Sequence, residues 1–391
     1  MDGLTHSLVG LTSAKAGLER LSPYTAAVCI LSANAPDIDV VSVFFGGRWT
    51  LLQHHRGITH SIVGILILGV LIPSSFLAVE RVIARWRKLP PKIKYRGLLV
   101  ASLIAAATHP LMDWTNNYGV RPLLPWNGKW FYGDLVFIID PYLWLILGGV
   151  CFLLTSNRRA KVVSWVLLAI LVTTAVLLAP QQRAGDAAAL AIARVIWITG
   201  VAVFAIGRSL KLQERFGKSL AMAALAFVVL YWGALAGAHA AAYRDAINQA
   251  NLTAAQHGER FMRAAAMPTA ANPLRWLCVA ETDRAVYRFI VNIGDGPAAT
   301  VYPADSLAGG SQSAIERYEK PVGRSEQLAS IASRDPRAQI LLGFARFPIT
   351  RVESDNCIDE VLVQFADLRY TEPGASRGNF SLSVPVECPA P

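Results

Sequence analysis

Three of the seven histidines in the chain fall within "HHRGITH", residues 54–60: His54, His55 and His60, with Arg56 and Gly57 among them. A fourth, His109, stands four residues before Asp113 in "THPLMD". At i, i+4 on a helix these two side chains point to one face, one turn apart, where an imidazole and a carboxylate can share a metal ion. Alone, such a pair is as readily a hydrogen bond on a helix surface. His55 and His60 are five apart, which is not one helical face; Gly57 implies a turn that frees His55 to fold back towards His60. His54 is the less favoured of the neighbouring pair, since the turn points only one of them inward. "NAPDID" adds Asp37 and Asp39, which share a side if the turn is extended, and "LTHS" adds His6. A DxD pair alone is more often a cap or turn feature, and a lone histidine near a terminus means little. Together, His6, His55, His60, His109, Asp37, Asp39 and Asp113 supply enough donors for two or more ions. Mixed histidine and carboxylate sets suit Zn²⁺, and also Mn²⁺ or Fe²⁺. Clustered ions polarise a phosphoryl oxygen and activate water. Arg56, inside the ligand motif, is placed to hold a phosphate or offset transition-state charge; the plainer reading is an arginine snorkelling to a membrane interface.

The elements that must position these residues are membrane helices. The chain has 391 residues, 53% hydrophobic and only 16% charged, with a mean hydropathy of +0.38. Soluble domains carry about a quarter charged residues. The fold class expected is mainly α, a polytopic membrane bundle of about six to eight helices with a small C-terminal β-rich extramembrane domain. Apolar runs lie near 60–80, 97–111, 137–155, 162–180, 187–207 and 219–241. Two shorter runs, near 4–19 and 23–36, fall below the ~20 residues that cross a bilayer and are read as an embedded helical hairpin. The run at 97–111 is also short and is read as stopping inside a water-filled pocket. Met1–Gly10 lacks the basic and apolar regions of a cleavable signal peptide, so none is expected.

The net charge of +10 would suit nucleic acid, but in a membrane protein it more often marks cytoplasmic loops. If every run spans, one side collects Lys15 and Arg20, then Arg81, Arg85, Arg87, Lys88, Lys92, Lys94 and Arg96, then Arg158, Arg159 and Lys161, then Arg208, Lys211, Arg215 and Lys218. The other side holds only Arg48, Arg56, Arg121, Lys129 and Arg183. The basic side is therefore expected in the cytoplasm, which puts His6, "PDID", "HRGITH" and "HPLMD" together at the outer boundary.

Between 113 and 144 the chain is rich in aromatics, read as an interfacial belt. Asp134 and Asp140 stand out there; Asp140 is either a partner that orients a ligating histidine or an N-cap before Pro141. The membrane-embedded domain is taken as 1–245, an amphipathic helix and linker as 246–266, and a β-rich extracytoplasmic domain as 267–391, with "AMPTAANPLRW" as linker and "AQILLGFARFPITRV" among the strands. Cys278, Cys357 and Cys388 fall in the last domain, where one disulfide is expected, Cys357–Cys388 preferred. Cys29, Cys151, His239 and His257 are read as structural. No nucleophile elbow, phosphate loop or dinucleotide fingerprint occurs.

"MDGLTHSLVG", "PDID", "HRGITHS", "THPLMDWTNNYGVRPL" and "FYGDLVFIIDP" together resemble the YdjM family of membrane-bound metal-dependent hydrolases, over roughly residues 1–180. That family is distantly similar to zinc-dependent phospholipase C and to nucleases of the S1/P1 type; the later histidine and glutamate ligands of those enzymes have no match here. The resemblance implies hydrolase chemistry and names no substrate. The expectation is thus a hydrolase of the bacterial inner membrane, acting at the outer boundary on a lipid or other amphipathic ester, a phosphoester first, with Arg56 and Asp140 as catalytic candidates. The alternatives are a non-catalytic metal-binding scaffold, a transporter subunit, or a nuclease-like phosphodiesterase. A transporter would show repeats and a polar midplane path, and no compact basic-aromatic patch for nucleic acid is present.

Overall fold

The computed structural model describes residues 1–178, 187–294, 315–354, 359–375 and 379–388. Its helices are α1 (Gly3–Lys15), α2 (Thr25–Asn34), α3 (Val43–His54), α4 (Ile62–Arg87), α5 (Tyr95–Trp114), α6 (Pro141–Thr155), α7 (Arg159–Leu178), α8 (Ala187–Ser209), α9 (Leu212–Phe216), α10 (Lys218–Gln256), α11 (Arg324–Ala332) and α12 (Pro336–Phe344). Among the described residues, six stretches are long and apolar enough to cross a bilayer: Thr25–His54, α4, α5, α7, most of α8, and α10. The first reaches that length only by joining α2, a 3-10 helix at Ala35–Ser42, and α3, whose backbone is non-helical at Gly46 and Gly47. The run at 97–111, expected to stop short, extends to a helix of 20 residues, about 30 Å at 1.5 Å per residue. Polar residues at both of its ends hid that length from an apolar count.

The chain divides into two compact units. The first comprises Met1–Asp39, Arg56–Gly237 and Pro268–Pro273. Its centre is a set of small side chains, Ala14, Cys29, Ala33, Ala101 and Ala105, all fully buried between α1, α2 and α5. Helices in an apolar medium gain by close backbone approach, which small residues permit. Gly10 shows the limit: a Cβ there would lie 2.6 Å from the Cys29 carbonyl oxygen. The hydroxyls of Ser32 and Ser102 lie 2.8 Å apart across α2 and α5. The amide of Lys94 donates to Ser22 Oγ at 3.0 Å. The α1–α2 bend, which carries Lys15 and Arg20, therefore lies at the same end as the basic α4–α5 connection. The start of α1, the end of α2, the start of α4 and the end of α5 lie at the opposite end.

The second unit comprises Val40–His55, Ala238–Met267 and Leu274–Pro391. One antiparallel sheet has the order β1 (Phe261–Thr269), β2 (Asn272–Thr282), β3 (Ala285–Asn292), β4 (Glu316–Glu319); a second has β5 (Pro348–Val352), β6 (Glu360–Asp367), β7 (Ser381–Glu387). The expected linker at 267 is strand. Ala264 and Ala266 pack with Ala242, Ala246, Ala250 and Trp276, while Ala265 and Met267 pack with Phe347 and Ile349. That is strand alternation, each successive side chain on the opposite face, disguised by an alanine- and proline-rich composition. Likewise "PRAQILLGF", read as strand, is α12: Asp335 accepts from the Arg337 amide, and Pro336 takes the first turn.

The polar core of this unit is Glu259, which accepts from Thr282 Oγ1 at 2.7 Å, Tyr287 Oη at 2.8 Å and Arg317 Nε at 3.2 Å. Burial pushes its carboxyl up, but the Arg317, Thr282 and Tyr287 hydrogen bonds outweigh this and hold it below the usual glutamate range. Cys29, Cys151 and Cys278 are free and buried. Cys388 is disulfide-bonded; Cys357, its expected partner, lies outside the described residues.

Candidate metal centre

The i, i+4 pair behaves as its spacing requires. His109 and Asp113 lie on one buried face of α5, with His109 Nε2 3.5 Å from Asp113 Oδ2. His60 ends a 3-10 turn, Ile58–His60, and is fully buried. Its Nε2 lies 3.4 Å from Asp113 Oδ2, 3.4 Å from Asp37 Oδ1 and 3.0 Å from His109 Nε2. His109 Nε2 is also 3.4 Å from Asp37 Oδ1. Asp37, His60, His109 and Asp113 thus present four donor atoms to one point, each within 4.8 Å of the others.

Two features favour a metal centre over a hydrogen-bonded cluster. The first is length: charge-assisted N–H···O bonds run to about 2.7–2.9 Å, and the four imidazole–carboxylate separations here are 3.4–3.5 Å. Donors on one tetrahedral ion, with bonds near 2.0–2.2 Å, lie about 3.3–3.6 Å apart. The second is the direction of the protons. His109 Nδ1 lies 2.6 Å from the Ala33 carbonyl oxygen, which can only accept. His60 Nδ1 lies 3.1 Å from Asp39 Oδ2. In the neutral rings the Nδ1 protons are thus spent outward and the Nε2 lone pairs turn inward. Two lone pairs and two carboxylate oxygens at such spacing repel one another unless a metal ion or an Nε2 proton lies between them.

Around this point the remaining candidates take different places. The expectation for Asp37 and Asp39 was an extended turn with both on one side. The segment is instead a 3-10 helix, Ala35–Ser42, in which residues two apart point roughly 120° from each other. The two carboxylates bracket the His60 ring: Asp37 meets Nε2 and Asp39 meets Nδ1. Asp39 Oδ2 also accepts from the Arg56 amide at 2.9 Å and Thr59 Oγ1 at 3.0 Å. It is placed to orient a ring that would hold an ion, as outer carboxylates of metal-bound histidines do. His6 is fully buried, stacks on His109 with ring centroids 3.7 Å apart, and has Nε2 3.4 Å from Asp113 Oδ1. Neither of its ring nitrogens has a hydrogen-bond partner. It therefore faces Asp113 Oδ1, the oxygen that also ion-pairs with the buried Met1 ammonium and accepts from Arg56 Nη2.

Arg56 does not reach outward. Its guanidinium is 1% exposed. Nη2 donates to Asp113 Oδ1 at 3.1 Å and Nε lies 3.0 Å from Asp113 Oδ2. Nη1 serves the Asp113 carbonyl at 3.2 Å, Asn116 Oδ1 at 2.9 Å and the Gly119 carbonyl at 3.1 Å. The Tyr118 ring lies 4.6 Å from its CZ atom. In place of the phosphate contact expected of it, Arg56 holds Asp113. The chain reverses at Arg56 itself, with φ 53°, and not at Gly57. That reversal sends the arginine inward, while His55 closes α3 and belongs to the second unit. His54 is exposed. Asp140 accepts from the amides of Tyr142 and Leu143 at 2.8 and 3.1 Å and from Tyr231 Oη at 2.9 Å. It caps α6 and is not among the four converging donors. Asn116, Thr59 and the Ala33 and Gly119 carbonyls are not among the residues singled out from the sequence. Asn116 was visible in "WTNNYG", overlooked among the aromatics; the carbonyls leave no trace in a sequence.

Among the four donors Asp37 alone is open to solvent, its side chain 29% exposed. The centre is therefore reached from the Asp37 side.

With the geometry in hand, comparison with known proteins adds a family. Residues 1–184 match the family model described as YdjM inner membrane protein, the family the motifs resemble, and every cluster residue lies in that span. The chain is also similar to the uncharacterized protein YfhP of Bacillus subtilis (strain 168), 26% identical over 155 residues, which is 37% of this chain and 43% of that protein. The match thus spans less than half the length of this curated relative. No solved structure matches. The family description and the candidate spans together make this a multi-pass inner membrane protein.

Proposed function

We propose that the protein is a metal-dependent hydrolase, zinc-loaded by its donor set, that cleaves an ester borne on a lipid, a phosphoester first. The observation that supports this most is the convergence of two histidines and two carboxylates at tetrahedral-edge spacing with both Nδ1 protons directed outward. A divalent ion there supplies Lewis-acid polarisation of the ester and activation of water. The chain's own residues do the rest. Ala33 and Asp39 set the two imidazole rings. Arg56 fixes Asp113 in place and offsets its charge. Asp37, the exposed member, is the donor that can swing to admit substrate. A second ion held by His6 and Asp113 would first have to displace the Met1 ammonium from Asp113 Oδ1. The bias of basic loops supports an extracytoplasmic centre, where a lipid headgroup would meet it.

One observation favours a second reading. Four protein donors close a tetrahedral shell, as structural zinc sites do, whereas catalytic sites keep one position open. A non-catalytic metal-binding scaffold fits that count. Metal analysis of the purified protein, followed by phospholipid vesicles with and without chelator, separates the two. Metal-dependent release of phosphate or a phosphorylated headgroup supports the phosphoesterase. Chelator-sensitive release of fatty acid alone keeps a hydrolase and discards the phosphoester. Tightly bound metal with no release from any lipid leaves the scaffold. The orientation is tested by impermeant thiol labelling of Trp126→Cys and Lys92→Cys in intact cells: labelling of the first is expected, and labelling of the second alone reverses the topology.

A further inference from the structure

A cavity of about 180 Å³ lies among α1, α6, α7 and α8, on the side of α1 away from the metal centre. Leu8, Trp144, Gly148, Trp165, Trp197 and Phe204 are among its walls. Nothing in it asks for a polar partner. The Trp165 indole N–H donates to Thr155 Oγ1 at 2.8 Å, that of Trp197 to Thr173 Oγ1 at 2.9 Å, and that of Trp144 to Asp2 Oδ1 at 3.1 Å and Thr5 Oγ1 at 3.0 Å. An ordered water needs two to four polar partners, and apolar cavities of about 150 Å³ stay dry and take hydrocarbon. Two of the walls, α7 and α8, have the length and hydropathy of membrane spans, so the hydrocarbon at hand is the bilayer's own. Beyond its Trp144 wall, whose indole N–H donates to both, lie the half-buried carboxylate of Asp2, the N-cap of α1, and the buried hydroxyl of Thr5. Residues two apart on a helix face nearly opposite ways. Leu4 and Leu8 line the cavity while His6 faces Asp113, so α1 is the partition between cavity and metal centre, and the partition ends at Asp2.

We infer that this cavity takes up part of one acyl chain of a membrane lipid, with the lipid's headgroup at the half-buried Asp2, beside the metal centre. That the bound lipid is also the substrate rests on the hydrolase reading; the binding does not. The carboxylate of Asp2 suits a headgroup bearing an ammonium, so the probe is phosphatidylethanolamine.

The test is photo-crosslinking of the detergent-purified protein with phosphatidylethanolamine carrying a diazirine near the end of one acyl chain. Saturable labelling of peptides within 144–152 and 165–172 is expected. Gly148→Leu fills the cavity: a Cβ there has only Leu8 Cδ1 near, at 3.8 Å, so the side chain enters open space without forcing the helices apart. Labelling should fall about tenfold, each methylene excluded from burial weakening binding roughly fourfold. Gly233→Leu, on an open face of α10, should label as wild type. Non-saturable labelling spread over the outer faces of α4 and α7, or equal labelling in Gly148→Leu, would overturn the site. The same labelling in Asp113→Ala, where hydrolysis is abolished, separates the two readings: saturable labelling with no lipid hydrolysed by the wild type keeps the cavity site and discards the hydrolase, whereas hydrolysis without saturable labelling does the reverse.

Discussion

Replacing Arg56 with lysine divides the two roles open to this side chain. If the guanidinium binds substrate phosphate, Arg56→Lys keeps the fold and the metal and loses rate. The structure argues for the other outcome. The guanidinium donates to four protein acceptors, Asp113 Oδ1, the Asp113 and Gly119 carbonyls and Asn116 Oδ1, and ion-pairs with Asp113 Oδ2. An ammonium has three donors and no planar fork. At least one buried acceptor would lose its partner and the second Asp113 contact would be lost with it, at about 1–3 kcal/mol each, so a loss of roughly 2–6 kcal/mol of stability follows. Asp113, released from its clamp, would also turn more freely, and loss of a group that orients a ligand lowers metal affinity about 10–100-fold. The assay is a thermal unfolding curve in detergent, with metal content measured against a graded chelator. Arg56→Lys should melt earlier and shed its metal at lower chelator. A variant with wild-type melting and metal retention, but a rate down ~100-fold on a phospholipid substrate, would refute this reasoning and return Arg56 to the phosphate.

Three further outcomes follow from the same contacts. His109→Ala and Asp113→Ala should each lower bound metal by elemental analysis, while His239→Ala, whose ring packs on Tyr243 and Trp276 in the other unit, should not; equal metal in all three removes the pair from the centre. Asp39→Asn should keep the fold yet weaken metal binding about 10–100-fold, because it changes the partner of His60 Nδ1; unchanged affinity in a chelator titration would leave Asp39 a turn residue only. Glu259 titrates below the usual glutamate range in the folded protein, so in acid the unfolded chain binds more protons. Its contribution is complete above about pH 4.3 and is lost as pH falls through the folded value. Glu259→Gln should flatten that acid limb in unfolding curves of the full chain, and an unchanged limb would assign it to other carboxylates.

The parts of this protein that could be read from its sequence are those governed by a period or a medium. Membrane helices announce themselves because hydrocarbon tolerates few alternatives to a long apolar helix, so α4, α7, α8 and α10 were visible as runs. The i, i+4 spacing of His109 and Asp113 was readable because α5 is regular across it. The second unit was harder. Ala264–Met267 is half of a buried hairpin, but alanine and proline say little about strand, and only the alternation of its contacts reveals it. The helix at Pro336–Phe344 had a usable signal, Asp335 before Pro336, which outranks the β-rich look of "ILLGF".

The centre itself was legible as a set of ligand types and illegible as an arrangement, for a physical reason. Which donors converge depends on how irregular backbone turns, and the two irregular segments both departed from the simplest reading. Winding "PDID" as a 3-10 helix instead of an extended turn separates its two aspartates by roughly 120°, so one faces the common point and the other faces the back of His60. Reversing the chain at Arg56, at φ 53°, costs about 1–3 kcal/mol for a residue with a side chain. It is compensated by the contacts the guanidinium then makes to Asp113, Asn116 and Gly119. Motif spacing records neither event. Changing a residue that only supports the donors is a sharper test than removing a donor. Asn116→Ala deletes one arginine acceptor while leaving all four donor residues intact, and Asn116 Oδ1 also accepts from the Tyr118 amide at 2.9 Å. If the arrangement is held through Arg56, this change should cost about 1–3 kcal/mol of stability and weaken metal binding with no donor altered. Wild-type metal affinity in Asn116→Ala, beside a clear loss in Asp39→Asn, would mean that the His60 side of the shell orients the centre and the arginine clamp does not.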